Sequence, residues 1–265
     1  MSDRDLSFLG RLTDEERFFV RSVYDKLYAA RDKYRTGFTF FLTERQAGLA
    51  RMVMASECFE DHLLYGGHEA AERVMLGVFS EFDPPDEQSF PISALTFSFR
   101  RDDKLTHRDI LGALMGLEIS RETVGDICVG EDRAIVFLTD TAAEQALMGI
   151  TKIGRAGVRI TEGFDPDSLP AREYQLISGT VSSLRIDSVT ALAIRSSRSN
   201  AAALVEGGKV LLRGAEITSC SAQVSEGDVF TVRGYGKFRL GAKGRTTKKD
   251  RTFIEIYKYK EEEYL

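Results

Sequence analysis

Asp126-Ile127-Cys128-Val129-Gly130-Glu131-Asp132-Arg133-Ala134-Ile135-Val136-Phe137-Leu138 decides the fold of the middle of this chain. Two short apolar runs, Asp126 to Val129 and Ala134 to Leu138, flank the turn residues Gly130-Glu131-Asp132, a hairpin pattern. Upstream, Thr106 to Asp109 caps a helix carrying Leu111, Leu114 and Met115, with Leu105 and Ile110 placed as a hydrophobic staple. Before that helix, Leu95, Phe97 and Phe99 fall on one side of the run Ile92 to Phe99, the alternation of a half-buried strand. Downstream, Thr141 with Glu144 predicts a helix to about Met148, and Val158 to Thr161 reads as a last strand. The order from Ile92 is β-α-β-β-α-β, a split βαβ plait.

Outside the plait, 265 residues leave room for further domains. Residues 1–73 read as helical. Thr13 with Glu16 fits a capping box ahead of Phe19, Val23, Leu27, Ala30 and Tyr34, and Thr43 with Gln46 repeats the signal ahead of Leu49, Met52 and Val53. Gly66-Gly67 breaks the helical pattern, and Val74 to Ser80 reads as a strand opening a plait region of 74–162. Asp165-Pro166-Asp167 and Leu169-Pro170 are turn punctuation and place a linker at 163–173, followed by a C-terminal domain at 174–260. The expected class is α+β.

Composition narrows the function classes. At 43% hydrophobic and 29% charged the chain reads as a soluble globular protein, and no apolar run approaches the roughly 20 residues a membrane helix needs. The charged start Met1-Ser2-Asp3-Arg4-Asp5 lacks a signal-peptide core, so the expected address is cytoplasmic, with no membrane partner. Cys58, Cys128 and Cys220 are too few and too far apart for a disulfide framework and are expected to be buried thiols. The net charge of −5 conceals an asymmetry. Residues 181–260 hold 15 Lys and Arg against 7 Asp and Glu, while the remainder holds 21 against 34. A local basic module on an acidic chain suits a protein that meets an anion such as nucleic acid at one place, although a solvated basic face has the same composition.

That module reads as follows. Tyr174 to Leu184 alternates like a strand; Ile186, Val189, Leu192 and Ala193 mark a short helix. A second helix starts at Ser197 or Ser199 as N-cap, carries Ala201, Ala202, Leu204 and Val205, and ends at Gly207-Gly208. Strands at Lys209 to Leu212 and Val229 to Arg233 follow, with turns at Arg213-Gly214 and Glu226-Gly227-Asp228. Gly241 to Asp250 reads as a mobile hairpin tip between strands ending at Phe238 and starting at Thr252.

Leu184-Arg185-Ile186-Asp187, Ser197-Arg198-Ser199-Asn200-Ala201, Glu206-Gly207-Gly208-Lys209-Val210-Leu211-Leu212-Arg213-Gly214, and Val224-Ser225-Glu226-Gly227-Asp228 with Val232-Arg233-Gly234 resemble successive blocks of the S-four RNA-binding domain. That resemblance implies an αL-shaped pair of helices against a small sheet, holding ribosomal RNA or tRNA. Arg213 departs from the pattern, where many members carry Asn. Phe41-Leu42-Thr43, Gly66-Gly67-His68-Glu69-Ala70-Ala71-Glu72-Arg73, Leu105 to Leu117 and Val124-Gly125-Asp126-Ile127 extend the likeness, and the whole chain resembles the YlmH family of bacterial proteins. The resemblance implies an RNA-binding protein that associates with the large ribosomal subunit, and further suggests a role in quality control of stalled nascent chains. The plait is similar to ferredoxin-like and RNA-recognition folds, yet its third strand, Ala134 to Leu138, lacks the basic, glycine-rich signature of base-stacking strands. A scaffold or docking platform is the expected role of the plait.

The residues assigned to RNA are Arg185, Arg195, Ser197, Arg198, Ser199, Lys209, Arg213, Arg233, Lys237, Lys243, Arg245, Lys248 and Lys249, with Arg239 in the same basic tract. The corner between the two helices, with Arg195 and Arg198 near a helix start, is the first place to look, because guanidinium groups and terminal amides both favour phosphate. Arg198 is alternatively a surface arginine in a local salt bridge.

Enzyme chemistry finds no foothold. No glycine-rich dinucleotide loop, phosphate loop or Gly-x-Ser-x-Gly elbow occurs, and Asp187 reads as a structural cap or salt-bridge partner. Cys58, His62 and His68 are a weak metal set beside a glycine break, and His107 starts a capped helix. No catalytic residue, metal ligand or cofactor is therefore assigned. The competing readings are an RNA-modifying enzyme with an unrecognised centre and an adaptor for a division-machinery protein.

Overall fold

The computed structural model describes residues 6–9, 12–170, 174–246 and 251–259, and for Ser7, Lys243, Arg245 and Thr246 the backbone alone. The described residues fall into two units that divide between Pro170 and Ala171. They are mixed helix and strand, the α+β class.

The first unit is layered. Helix α1 (Asp14–Lys33) starts in the capping box expected from Thr13 and Glu16, and α2 (Glu44–Ser56) in that of Thr43 and Gln46. Their apolar faces, Val20, Val23 and Leu27 from α1 and Leu49, Ala50 and Val53 from α2, bury against a small sheet. The N-terminal region is therefore not helical alone. Strands β1 (Gly37–Phe38), β2 (His62–Tyr65) and β3 (Met75–Val78) form an antiparallel sheet in the order β1-β3-β2. Strands of two to four residues are too short to show a period in sequence. The strand read at the start of the plait is β3, and it pairs with this sheet instead. Tyr34, read as the end of the apolar stripe, lies beyond α1 as its left-handed C-cap and is 55% exposed.

The plait follows with β4 (Ile92–Ser98), α3 (His107–Gly116), β5 (Val124–Val129), β6 (Arg133–Thr139), α4 (Asp140–Gly149), a minor hairpin of β7 (Lys152–Ile153) and β8 (Ala156–Gly157), and β9 (Arg159–Glu162). Its sheet runs β5-β6-β4-β9, all antiparallel, the order that a split βαβ topology requires. Helix α3 is capped by Thr106 and Asp109 as expected. The cap of α4 is Thr139, two residues before the Thr141 read from sequence, and it accepts from the Ala142 amide. One face of the sheet, Leu95, Phe97, Val136 and Leu138, buries against α3 and α4.

The other face of the plait sheet is buried as well. Cys128, Ile135 and Phe137 pack with Phe41, Met75, Phe79 and Phe90, so the two sheets stack with helices outside both. A clamp spans the stack. The nearly buried carboxylate of Asp126 accepts hydrogen bonds from the backbone amides of Glu72 (2.9 Å) and Arg73 (3.1 Å) and lies 3.1 Å from His68 Nε2. The Arg73 guanidinium donates to the carbonyls of Val124, Phe41 and Arg121. His68 stacks on Phe137 with ring centroids 4.7 Å apart. Gly67 sits at φ +95°, where a Cβ would meet the Phe137 ring at 2.3 Å, so glycine alone fits there. The stretch Gly66 to Arg73 is thus an architectural element.

Residues 163–170 are not a linker. Phe164 meets Phe137 edge-on at 5.2 Å, Leu169 joins the same cluster, and Asp165 caps a short turn of helix. Of the cysteines, Cys128 is buried, Cys58 exposed and Cys220 in between, correcting the expectation of three buried thiols.

The second unit is a six-stranded antiparallel sheet with two helices on one face. It comprises β10 (Tyr174–Val181), α5 (Ile186–Ala193), α6 (Arg198–Glu206), β11 (Val210–Leu212), β12 (Ala215–Ile217), β13 (Val229–Val232), β14 (Gly236–Thr246) and β15 (Thr252–Tyr259). The order is β10-β15-β14-β13-β11-β12. Ile186, Val189 and Val205 of the helices pack on Ile177, Phe230, Phe238, Leu240, Ile254 and Ile256. Strand β14 runs eight residues past Phe238, through two register shifts, to pair Thr246 with Thr252; most of the expected hairpin tip is strand.

Candidate nucleic-acid interface

The corner between α5 and α6 is built by local rules. Helix α5 ends in a Schellman turn: the amide of Ser196 donates to Ala191 O (2.9 Å) and that of Arg195 to Leu192 O (3.2 Å), with Arg195 left-handed at φ +50°. The chain then enters α6 through Ser197, whose hydroxyl accepts from the Asn200 amide at 3.1 Å; Ser197, not Ser199, is the N-cap. The Asn200 side chain donates to Ser196 Oγ at 2.9 Å, which ties the turn to the first turn of α6.

Beneath the corner lies one carboxylate. Asp187, on the first turn of α5, accepts from Arg185 (Nε to Oδ1, 3.2 Å), from Arg198 (Nε to Oδ2, 3.0 Å) and from the Ser188 amide (2.8 Å). Burial pushes its pKa up, but the hydrogen bonds from Arg198 and Arg185 outweigh this and hold it below the usual carboxylate range. A buried carboxylate that fixes two arginines leaves the cluster with a net positive charge and orients guanidinium groups that would otherwise sample many rotamers. The salt bridge foreseen for Asp187, and the local pairing considered for Arg198, are both present. Arg198 still exposes 52% of its side chain.

Beside the corner is an open groove of about 460 Å³, walled by Ser182, Ser188, Ser196, Arg195, Arg198 and Arg251. Arg251 was not among the residues read from sequence. It donates to the Thr180 carbonyl (Nη2, 2.6 Å) and hydroxyl (Nε, 3.1 Å), which sets its guanidinium at the rim. Its position after Asp250, just before a strand, was the available signal. Three guanidinium groups and serine hydroxyls around one open space are groups that can donate hydrogen bonds to phosphate oxygens.

The other assigned residues separate into groups. Arg213 takes φ +52° ahead of Gly214 at φ +74°, the two left-handed positions of the β11–β12 turn, and its guanidinium is bidentate to Asp228, with Nε 2.6 Å from Oδ1. Arg213 is therefore held by the protein's own carboxylate, with 55% of its side chain still exposed. Arg233 lies 3.6 Å from Glu216 at the other end of β11, near exposed Lys209. Lys209 and Arg213 do not project together from a sheet edge, since β11 lies between β13 and β12. Among the described residues, Arg195 and Lys209 have no carboxylate partner. Ser199 is exposed on α6, and Lys237 lies on β14 with its ammonium 4.8 Å above the Tyr259 ring. Lys243 and Arg245 fall on β14 by backbone, while Lys248 and Lys249 lie outside the described residues.

Cys58, His62 and His68 do not gather. His62 Nδ1 lies 2.8 Å from the Phe59 carbonyl and His68 belongs to the Asp126 clamp. Among the described residues no three His, Cys, Asp or Glu side chains form a metal-holding group, and no helix is long and apolar enough to cross a membrane.

Comparison with known proteins places the chain. Residues 85–164 match a family model described as the putative RNA-binding domain in YlmH. The chain is 31% identical over 251 residues to the ribosome-associated protein quality control protein P2 of Bacillus subtilis (strain 168), covering 93% of this chain and 96% of that protein. In fold it is similar to the solved cell division protein ylmH from Streptococcus pneumoniae, with a TM-score of 0.52 at 21% identity over 60% of this chain and 97% of that one. Fold, site and family model together define an α+β protein of RNA-binding type. The chain belongs to the YlmH family.

The matched RNA-binding domain coincides with the plait, not with the basic module. Its sheet face, where RNA-recognition folds stack bases, is closed: Ile135 and Phe137 are fully buried beneath the N-terminal sheet. Any RNA contact made by the plait uses its edges or its helical side.

Proposed function

We propose that this chain is a non-catalytic RNA-binding factor that acts in the cytoplasm. It docks on ribosomal RNA of the large subunit, with tRNA as a further ligand, during quality control of stalled nascent chains. The C-terminal unit, an αL-shaped S-four-like module, carries the contact through the α5–α6 corner. The observation that carries this reading is the groove at that corner, where Arg195, Arg198 and Arg251 converge on one solvent-open space. The printed name of the Bacillus relative supports the ribosomal setting. Phosphates of folded RNA would meet the guanidinium groups, while Asp187 holds Arg185 and Arg198 in place.

The experiment is cosedimentation of the full-length protein with purified large subunits. Arg195→Glu is the variant of choice, because Arg195 has no carboxylate partner among the described residues and its reversal leaves the Asp187 cluster intact. Reversal of Arg198 would set two carboxylates against each other and confuse binding with folding. Arg195→Glu is expected to lower association by about tenfold or more. Full association of Arg195→Glu and of Arg195→Glu with Arg251→Gln would remove the corner from the contact. Incubating RNA with the protein and measuring nucleotide masses tests the enzyme alternative, and pull-downs after nuclease treatment test the adaptor for a division-machinery protein.

A further inference from the structure

The sheet of the C-terminal unit has two faces, and its helices cover one. Alternate residues on the outer strands point the other way. The register sets Tyr174 opposite Tyr259, Leu176 opposite Tyr257, and Arg239 opposite Tyr257, so these side chains share the face away from the helices, with Tyr259 nearly buried beneath its neighbours. The Tyr174 ring stands edge-on to Tyr257 (5.9 Å) and Tyr259 (5.0 Å). The Arg239 guanidinium lies over both Tyr174 (5.1 Å) and Tyr257 (5.5 Å), and Lys237 lies over Tyr259.

Two features go beyond mutual support of rings and cations. Leu176 is 53% exposed and Phe253 38% exposed on the same face, apolar surface that nothing in this unit's described residues covers. Charge on this face is one-sided in the described side chains of the three strands: Lys237 and Arg239 stand against Glu255 alone, which accepts from the Tyr257 hydroxyl at 3.1 Å, and β10 and β14 carry no carboxylate. Aromatic surface interleaved with cations and nearly free of anions is complementary to a strand with exposed bases and a charged backbone. A duplex buries its base faces and would leave the rings unused.

We propose that this open sheet face is a second RNA-contact surface, separate from the helix corner, that takes an unpaired RNA segment. Bases lie against Tyr174, Tyr257 and the guanidinium plane of Arg239, and phosphates meet Lys237. The proposal rests on the reading of this unit as RNA-binding and adds a ligand class, single-stranded RNA, and a face.

The test uses the full-length protein and a labelled twelve-nucleotide single strand, followed by fluorescence anisotropy across a salt series. Tyr174→Leu with Tyr257→Leu removes the π surfaces without changing charge. It is expected to weaken single-strand binding by about tenfold or more, with an unchanged salt slope, while Tyr257→Phe retains binding. Arg195→Glu should affect large-subunit cosedimentation more than single-strand binding. Wild-type binding that survives the double leucine variant overturns the proposal and leaves the rings as supports of the sheet. So does a wild-type protein that ignores the single strand yet cosediments with large subunits; loss of both activities would sink the corner reading too. Should the double variant misfold, crosslinking of a 4-thiouridine strand to the wild-type protein decides the matter: adducts in 174–178 or 253–259 support it, and adducts confined to the corner, 180–206 and Arg251, overturn it.

Discussion

Arg195 occupies a backbone conformation that glycine or asparagine adopts at less cost. The proposed phosphate contact would give this left-handed, exposed arginine at the end of α5 a use for its charge. Arg195→Gly is therefore expected to raise stability by about 0.5–1 kcal/mol in urea unfolding while weakening RNA binding; a variant that gains stability and loses nothing in binding would show that the charge has no role there. Asp187 makes the opposite case, since its carboxylate is depressed by Arg198 and Arg185 against the push of burial. A depressed folded-state pKa contributes stability above the unfolded value of about 3.9, and that contribution is lost as pH falls through the folded value. Asp187→Asn should cost about 1–3 kcal/mol at neutral pH, and its stability should fall less steeply below about pH 4 than that of the wild type, as read from urea midpoints across a pH series. Arg213, read as an RNA ligand, shows the limit of charge counting: sequence displays a cation but not the Asp228 carboxylate that binds it fifteen residues later.

At the scale of elements, what could be read was what is local. The capping boxes at Thr13, Thr43 and Thr106 involve residues three apart and appear where expected. Thr141 satisfied the same pattern, yet the cap is Thr139, because β6 delivers the chain in extended conformation up to that residue and Asp140 already begins the helix. The strands at 37–38 and 62–65 were invisible because each is defined by its pairing with β3 and not by a period of its own. The Gly66–Arg73 stretch was legible as a motif but not as a clamp, since Asp126 lies more than fifty residues away. Asp126→Asn should lower the stability of the first unit by about 2–4 kcal/mol by weakening acceptance from two backbone amides in a buried setting, measured by thermal or urea unfolding. Near-normal unfolding would mean that the stacked aromatic rings hold the two sheets together unaided.

For the whole molecule, charge is partitioned as the chain is partitioned. The basic stretch 181–260 lies wholly within the second unit, and most of the acidic remainder lies in the first. Binding driven by the basic unit should weaken linearly in log affinity against log salt, and each phosphate contact removed should lower the slope by about 1. Arg195→Gln and Arg251→Gln together should therefore flatten the slope by about 2, as read by titration of ribosomal RNA fragments; an unaltered slope would place the phosphate contacts elsewhere on the unit.

The amino-acid sequence by itself determined the helix starts, the order of elements in the plait, the basic character of the C-terminal unit and the family, because capping, periodicity and composition act over a few residues or none at all. Only the tertiary structure decided that the plait sheet is closed on both faces, that Asp187 buttresses Arg185 and Arg198, that Arg251 joins Arg195 at the groove, and that tyrosines and cations meet on one open sheet face. Those are pairings between residues distant in the chain, and it is strand register and burial that bring them within reach of one another.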